Sequence, residues 1–167
     1  MDNEFDTIYE IINDGAKAYK GVIPDDQWHE PYMSKSVLQQ QIKEGVDFWG
    51  FDKNGTLCGV MGIQQLGDVT LIRHAYVCTS EQRRGIGGQL LELLREQSDK
   101  PFLIGMWMEA TWAIEFYKKH GFQRIPKDRI SGLLEKYWTI SKRQVETSTV
   151  LADDKWFRTE NRRHNRL

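Results

Sequence analysis

The chain has 167 residues, 23 Lys and Arg against 24 Asp and Glu, and a formal net charge of -1. That length can bury one sizeable core without staples, and the balanced charge argues against a nucleic-acid binder. No run approaches the ~20 apolar residues of a membrane-spanning helix, and the chain opens on Asp2, Glu4 and Asp6 rather than on a basic leader. The expectation is a cytoplasmic protein with no membrane partner. Cys58 and Cys78 have no metal-ligand spacing, so free buried thiols and no metal are expected.

Phe5, Ile8, Tyr9, Ile12 and Ala16 recur at helical spacing and predict a helix over Phe5 to Tyr19. Gly21, Pro24 and Pro31 make Lys20 to Tyr32 an irregular connection. Ser34 or Ser36 can cap a second helix that runs through Ile42 and ends at Gly45. Val46 to Phe51 and Leu57 to Gln64 flank Asp52-Lys53-Asn54-Gly55, and an Asn-Gly turn between apolar runs predicts a hairpin. Gly67-Asp68 turns the chain into a third strand, Thr70 to Cys78. A leucine-striped helix, Ile86 to Gln97, precedes an apolar strand, Pro101 to Met108. The next helix, Ala110 to His120, sets Ala113, Phe116, Tyr117 and His120 on one face, with Gly121 suited to a left-handed C-terminal cap. Lys127 to Tyr137 reads as short helix or irregular chain, and Gln144 to Leu151 as the last strand. The organisation expected is one domain over residues 1–154 and a basic tail over 155–167. That tail, with Arg158, Arg162, Arg163 and His164, reads as a solvated extension rather than a nucleic-acid surface.

The most informative segment is Gln82-Arg83-Arg84-Gly85-Ile86-Gly87-Gly88, set between a strand and a helix. Glycines there let backbone N–H groups approach an anion at the helix N-terminus, and two arginines add positive charge. A Walker loop is excluded because Gly88 is followed by Gln89 and Leu90 instead of Lys and Ser or Thr. A dinucleotide fingerprint is excluded because its third glycine falls on Leu90.

Gln82 to Gly87 resembles the acyl-CoA signature of the GNAT superfamily of N-acetyltransferases: Gln or Arg, two variable residues, Gly, one variable residue, then Gly or Ala. Two flanks support the resemblance. Ala75-Tyr76-Val77 followed by Cys78-Thr79-Ser80-Glu81 is similar to the family's fourth strand and its exit, and Trp112 to Phe122 to its second conserved segment. The resemblance spans roughly residues 46–126. It implies an α/β fold, with a mixed sheet of about six to seven strands flanked by helices. It also implies acetyl-CoA as co-substrate, and direct transfer to a primary amine of a small molecule or peptide within a ternary complex. The cofactor-binding set implied is Val77, Cys78 and Thr79 along the pantetheine arm and Gln82, Arg83, Arg84, Gly85, Ile86, Gly87 and Gly88 around the pyrophosphate.

Tyr117 matches the tyrosine that often protonates the coenzyme A thiolate in this family, and a phenol of pKa ~10 is protonated at neutral pH. Its other role is core packing beside Ala113 and Phe116. Family members often carry an Asn where this chain has Ala110, and some place a Glu early in the fourth strand, where Thr70 to His74 holds no carboxylate. His74 and Glu109 are the candidate bases, beside a structural histidine and a helix-capping acid as their plainer roles; water is the third route for the proton. For the acceptor, Trp28, His29, Glu30, Tyr32 and Trp49 suggest an aromatic wall for a small amine or a peptide end. A non-catalytic acyl-CoA sensor is the alternative function, and pairing of two copies through Val145 to Leu151 is open.

Overall fold

The computed structural model describes residues 2–164. In chain order its elements are α1 (Asp2–Gly15), α2 (Lys35–Lys43), β1 (Val46–Lys53), β2 (Thr56–Leu66), β3 (Val69–Val77) and α3 (Ile86–Arg95). Then follow β4 (Phe102–Trp107), α4 (Thr111–Lys119), β5 (Gln123–Arg124), α5 (Lys127–Tyr137), α6 (Lys142–Glu146), β6 (Ser148–Ala152) and α7 (Asp154–His164). The strands are hydrogen-bonded in the order β1-β2-β3-β4-β6-β5. β1 with β2, β4 with β6 and β5 with β6 pair antiparallel. This is the expected α/β architecture, a mixed sheet flanked by helices.

The chain divides into two compact units: residues 1–65 with 72–99, and residues 66–71 with 100–167. The first is built around Ile11, Ile12, Met33, Leu38 and Val60, with Phe48, Tyr76 and Cys78 packed against them. Ser34 caps α2 by accepting the Val37 N–H at 3.2 Å, and Asn54 and Gly55 adopt the left-handed conformations that a tight turn requires. The connection between α1 and α2 is irregular, as expected. It is tied down by Asn13, whose amide donates to the Met33 carbonyl and whose side-chain oxygen accepts the Met33 N–H.

The second unit packs Val69, Leu71, Leu103, Ile125, Leu134, Val150, Ala152 and Trp156 into one cluster. Lys127 to Tyr137 takes the helical of its two expected forms, as α5, seated through Leu134. Two expectations are corrected here. The strand expected from Gln144 begins at Ser148, because Ser141 accepts the Gln144 N–H at 3.1 Å and caps the short helix α6. The stretch read as a solvated basic tail is helix α7: Trp156 is only 4 % exposed and Arg129 sits over its ring at 4.8 Å. Arg163 donates to Asp68 at 2.8 Å and to Glu160 at 2.9 Å. Arg166, the last basic residue of that expectation, lies outside the described residues.

Burial of a whole indole sets the size of the effect. Trp156→Ala is expected to lower stability by ~3–5 kcal/mol in urea denaturation at constant m-value. Loss below 1 kcal/mol would restore the reading of this segment as a surface tail.

Candidate active site

The glycine run belongs to the first unit and joins β3 to α3. At the strand's exit the Cys78 N–H donates to the Cys58 carbonyl at 2.9 Å, which keeps this end of the chain against β2. A single 3-10 turn, Thr79–Glu81, follows. Arg83 then takes φ 61° and Gly85 φ 80°, and α3 starts at Ile86. Left-handed backbone costs an L-residue ~1–2 kcal/mol and glycine almost nothing, so Gly85 is required by the bend itself. Ile86 is buried, while Gln82, Arg83, Arg84 and Gly85 are exposed and Gly87 and Gly88 half-buried. β2 approaches α3 so closely that a Cβ on Gly59 would lie 2.9 Å from the Ile86 side chain.

The first amides of a helix have no partner within it and carry its positive dipole end, so this exposed N-terminus is chemically suited to an anion. The loop's polar groups are partly engaged already. The Gln82 side-chain amide donates to the Val77 carbonyl at 3.3 Å. Arg84 pairs with Glu81 at 3.1 Å, and Glu81 also accepts from Lys53 at 2.8 Å. The Thr79 N–H donates to Asp14 of α1 at 2.7 Å, and its hydroxyl to the same carboxylate at 3.3 Å. Asp14 was not singled out by the sequence, where it is one acid among several on a surface helix. Burial raises its pKa, but the Thr79 amide, Lys17 and the Thr79 hydroxyl outweigh it and hold the carboxylate below its ordinary value.

His74 lies in the same unit but apart from that loop. Its backbone is left-handed, φ 52°, inside β3, so side-chain alternation does not carry through it. The ring stacks on Phe48 with centroids 6.0 Å apart, and its Nε2–H donates to the Gln41 side-chain oxygen. Burial first, and then the charge of Arg73, push its pKa down to about 3. A nitrogen that weakly basic, and already engaged, does not suit the proton-accepting role expected of it.

The aromatic residues of the α1–α2 connection do gather. Trp28 stacks on Tyr32 at 5.8 Å, Tyr32 meets Tyr19 at 5.4 Å, and Tyr19 meets Tyr76 of β3 edge-on at 6.3 Å. The Tyr76 hydroxyl bonds to those of Tyr19 and Tyr32, and burial above all keeps its pKa high, so it stays protonated. Tyr19 and Tyr76 escaped the sequence reading because each counts there as an apolar position of a helix or strand. His29 and Glu30 are exposed, Glu30 paired with Lys20 at 2.7 Å, and Trp49 is half-buried on β1.

Tyr117 and Glu109 belong to the second unit. Tyr117 is 4 % exposed on α4, edge-on to Phe116 at 5.0 Å and to Phe122 at 5.4 Å. Packing is therefore part of its role. Glu109 is exposed between β4 and α4, and its carbonyl accepts the Thr111 N–H at 2.8 Å. Ala110 is fully buried at the N-cap of α4 and Thr111 is exposed on the first turn. Both thiols are free, and burial raises the pKa of each, which makes neither a ready nucleophile.

Residues 44–124 match the family model described as an acetyltransferase (GNAT) domain. Over that stretch, just under half of the chain, the sequence is similar to a GNAT acetyltransferase domain. No curated protein matches the sequence at a comparable level. Among solved structures the GNAT fold recurs in the PaiA N-acetyltransferase of Thermoplasma acidophilum in complex with coenzyme A. That structure is 16 % identical with TM-score 0.64, over 90 % of this chain and 92 % of the other. A GNAT acetyltransferase of Staphylococcus aureus Mu50 is 17 % identical with TM-score 0.65 over the same shares. One from Elizabethkingia anophelis with acetyl-CoA bound is 22 % identical with TM-score 0.56, over 72 % of this chain and 82 % of its own. At these identities the structures establish the GNAT fold.

The His74 environment gives a pH signature with a definite sign. The unfolded imidazole binds a proton below its ordinary pKa near 6.5 and the folded one does not until about 3. Stability is therefore highest above pH 6.5 and falls by up to about 1.4 kcal/mol per pH unit as pH drops through that window. In His74→Asn, whose side chain tolerates left-handed backbone, that share of the slope should vanish in denaturation curves at pH 7.5 and pH 5. An unchanged slope would show that His74 titrates normally.

Proposed function

We propose that the protein is an acetyl-CoA-dependent N-acetyltransferase acting on a primary amine of a small molecule or peptide by direct transfer. The observation that carries this reading is the loop from Gln82 to Gly88. Its left-handed Arg83 and Gly85 set the start of α3, with Gly87 and Gly88 half-buried, directly behind an exposed segment that carries two arginines. The first amides of α3 and Arg83 would hold the pyrophosphate. Val77, Cys78 and Thr79 would flank the pantetheine arm, with the Thr79 N–H held by Asp14. In the transfer step the neutral amine nitrogen attacks the thioester carbonyl, the C–S bond breaks, the thiolate takes up a proton and the amine gives up its surplus one; the family resemblance assigns the first role to Tyr117 and leaves the second to Glu109 or water. The acceptor wall is Trp28 and Tyr32 of the residues expected, joined by Tyr19 and Tyr76, while His29, Glu30 and Trp49 are not part of that ring cluster.

A second reading, a non-catalytic acyl-CoA sensor, draws on two observations. Ala110 stands where family members often carry Asn, and β3 holds no carboxylate from Thr70 to His74. Free-thiol release from acetyl-CoA across a panel of primary amines separates the two. The enzyme reading expects turnover with at least one amine, and a fall of ~10²-fold in kcat for Tyr117→Phe with coenzyme A affinity unchanged. Tight binding without turnover across the panel would favour the sensor.

A further inference from the structure

We propose that Asp14, on the acceptor-side helix α1, is a positioning residue for the donor loop. It grips Thr79 so that the turn leading to Arg83 and Gly85 is formed before acyl-CoA arrives. The inference rests on the reading that residues 82–88 bind acyl-CoA. Its basis is a contact spanning 65 positions in sequence: one carboxylate takes both the backbone N–H and the hydroxyl of the first residue of the 3-10 turn. A charge-assisted bond to a backbone amide is among the stronger single contacts a loop can have.

The grip has a second end. Glu81, the last residue of that turn, is clamped by Lys53 from β1 and by Arg84. The three-residue turn is thus held at its first residue by α1 and at its last by β1. Beyond it the chain takes two left-handed steps, a geometry that an unclamped glycine-rich segment would leave as soon as it gained backbone freedom. Ordering such a loop on binding lowers affinity, and a pre-formed loop avoids that loss.

The neighbouring residue makes the same junction from the apolar side. A Cβ on Gly15 would lie 2.8 Å from the Tyr76 ring, so the end of α1 rests directly on β3 while Asp14 reaches its exit. Asp14 also pairs with Lys17 at 3.2 Å, an exposed contact worth little by itself. Lys17 therefore supplies a control that touches Asp14 but not Thr79.

The test is calorimetric titration of the full chain with coenzyme A, for the wild type, Asp14→Ala, Asp14→Asn and Lys17→Ala, with thermal unfolding recorded for each. Asp14→Ala is expected to weaken binding at least tenfold. Asp14→Asn keeps an acceptor for the Thr79 N–H and should lose three- to fivefold, while Lys17→Ala stays within twofold. The Thr79 amide proton resonance should move upfield in Asp14→Ala, a readout that general loosening of α1 would not single out. Unchanged affinity in Asp14→Ala overturns the proposal. Tighter binding also overturns it, because Asp14 would then be competing with the donor for the Thr79 amide. If Asp14→Ala does not fold, a change below twofold in Asp14→Asn overturns it. Absence of coenzyme A binding by the wild type defeats the functional reading itself, and this inference with it.

Discussion

Everything proposed for this chain depends on how it turns from strand to helix after Val77. The turn is made by one 3-10 step and two left-handed residues, Arg83 and Gly85, and ends with Ile86 buried against β2. Glycine relieves the strain at the second of those residues but not at the first. Arg83 holds its conformation because the segment before it is fixed by hydrogen bonds and ion pairs to α1 and β1. A helix N-terminus is common; one held open at the surface by a strained and clamped loop is much less so.

The same interaction links the parts that differ in role. The connection after α1 supplies Tyr19, Trp28 and Tyr32 of the aromatic residues proposed for the acceptor, β3 supplies Tyr76, and the donor loop hangs from Asp14 of α1. The carboxylate that β3 lacks in its first half is thus present at its exit, contributed by another element. Its depressed pKa makes it poor at accepting a proton near neutrality and good at holding an amide. That chemistry fits a positioning role better than a basic one. His74, by contrast, is half-buried, stacked on Phe48 and bonded to Gln41, with a pKa pushed down to about 3.

Much of this was legible in the sequence, for reasons that are local. Ser34 caps, Asn54-Gly55 turns and Gly121 ends a helix because each residue's own stereochemistry decides those positions. The loop from Gln82 to Gly88 was legible because phosphate-binding backbone needs small residues at fixed spacing. What was not legible depends on distant partners. α7 looked like a polar tail because its single indole, Trp156, gives no periodic signal, and its cover, Arg129 and Leu134, lies elsewhere in the chain. The start of β6 was misplaced because the Ser141 cap outweighed the apolar run that follows. Asp14 and Thr79 are 65 positions apart, and the break in alternation at His74 is a backbone angle that its residue type does not announce.

The most direct test of the central claim is amide chemical-shift mapping of the protein titrated with coenzyme A. The account predicts the largest shifts at the amides of Arg83 through Gly88 and at Val77 to Thr79, with α5 and α7 unmoved. Shifts centred elsewhere, or none at saturating coenzyme A, would contradict it.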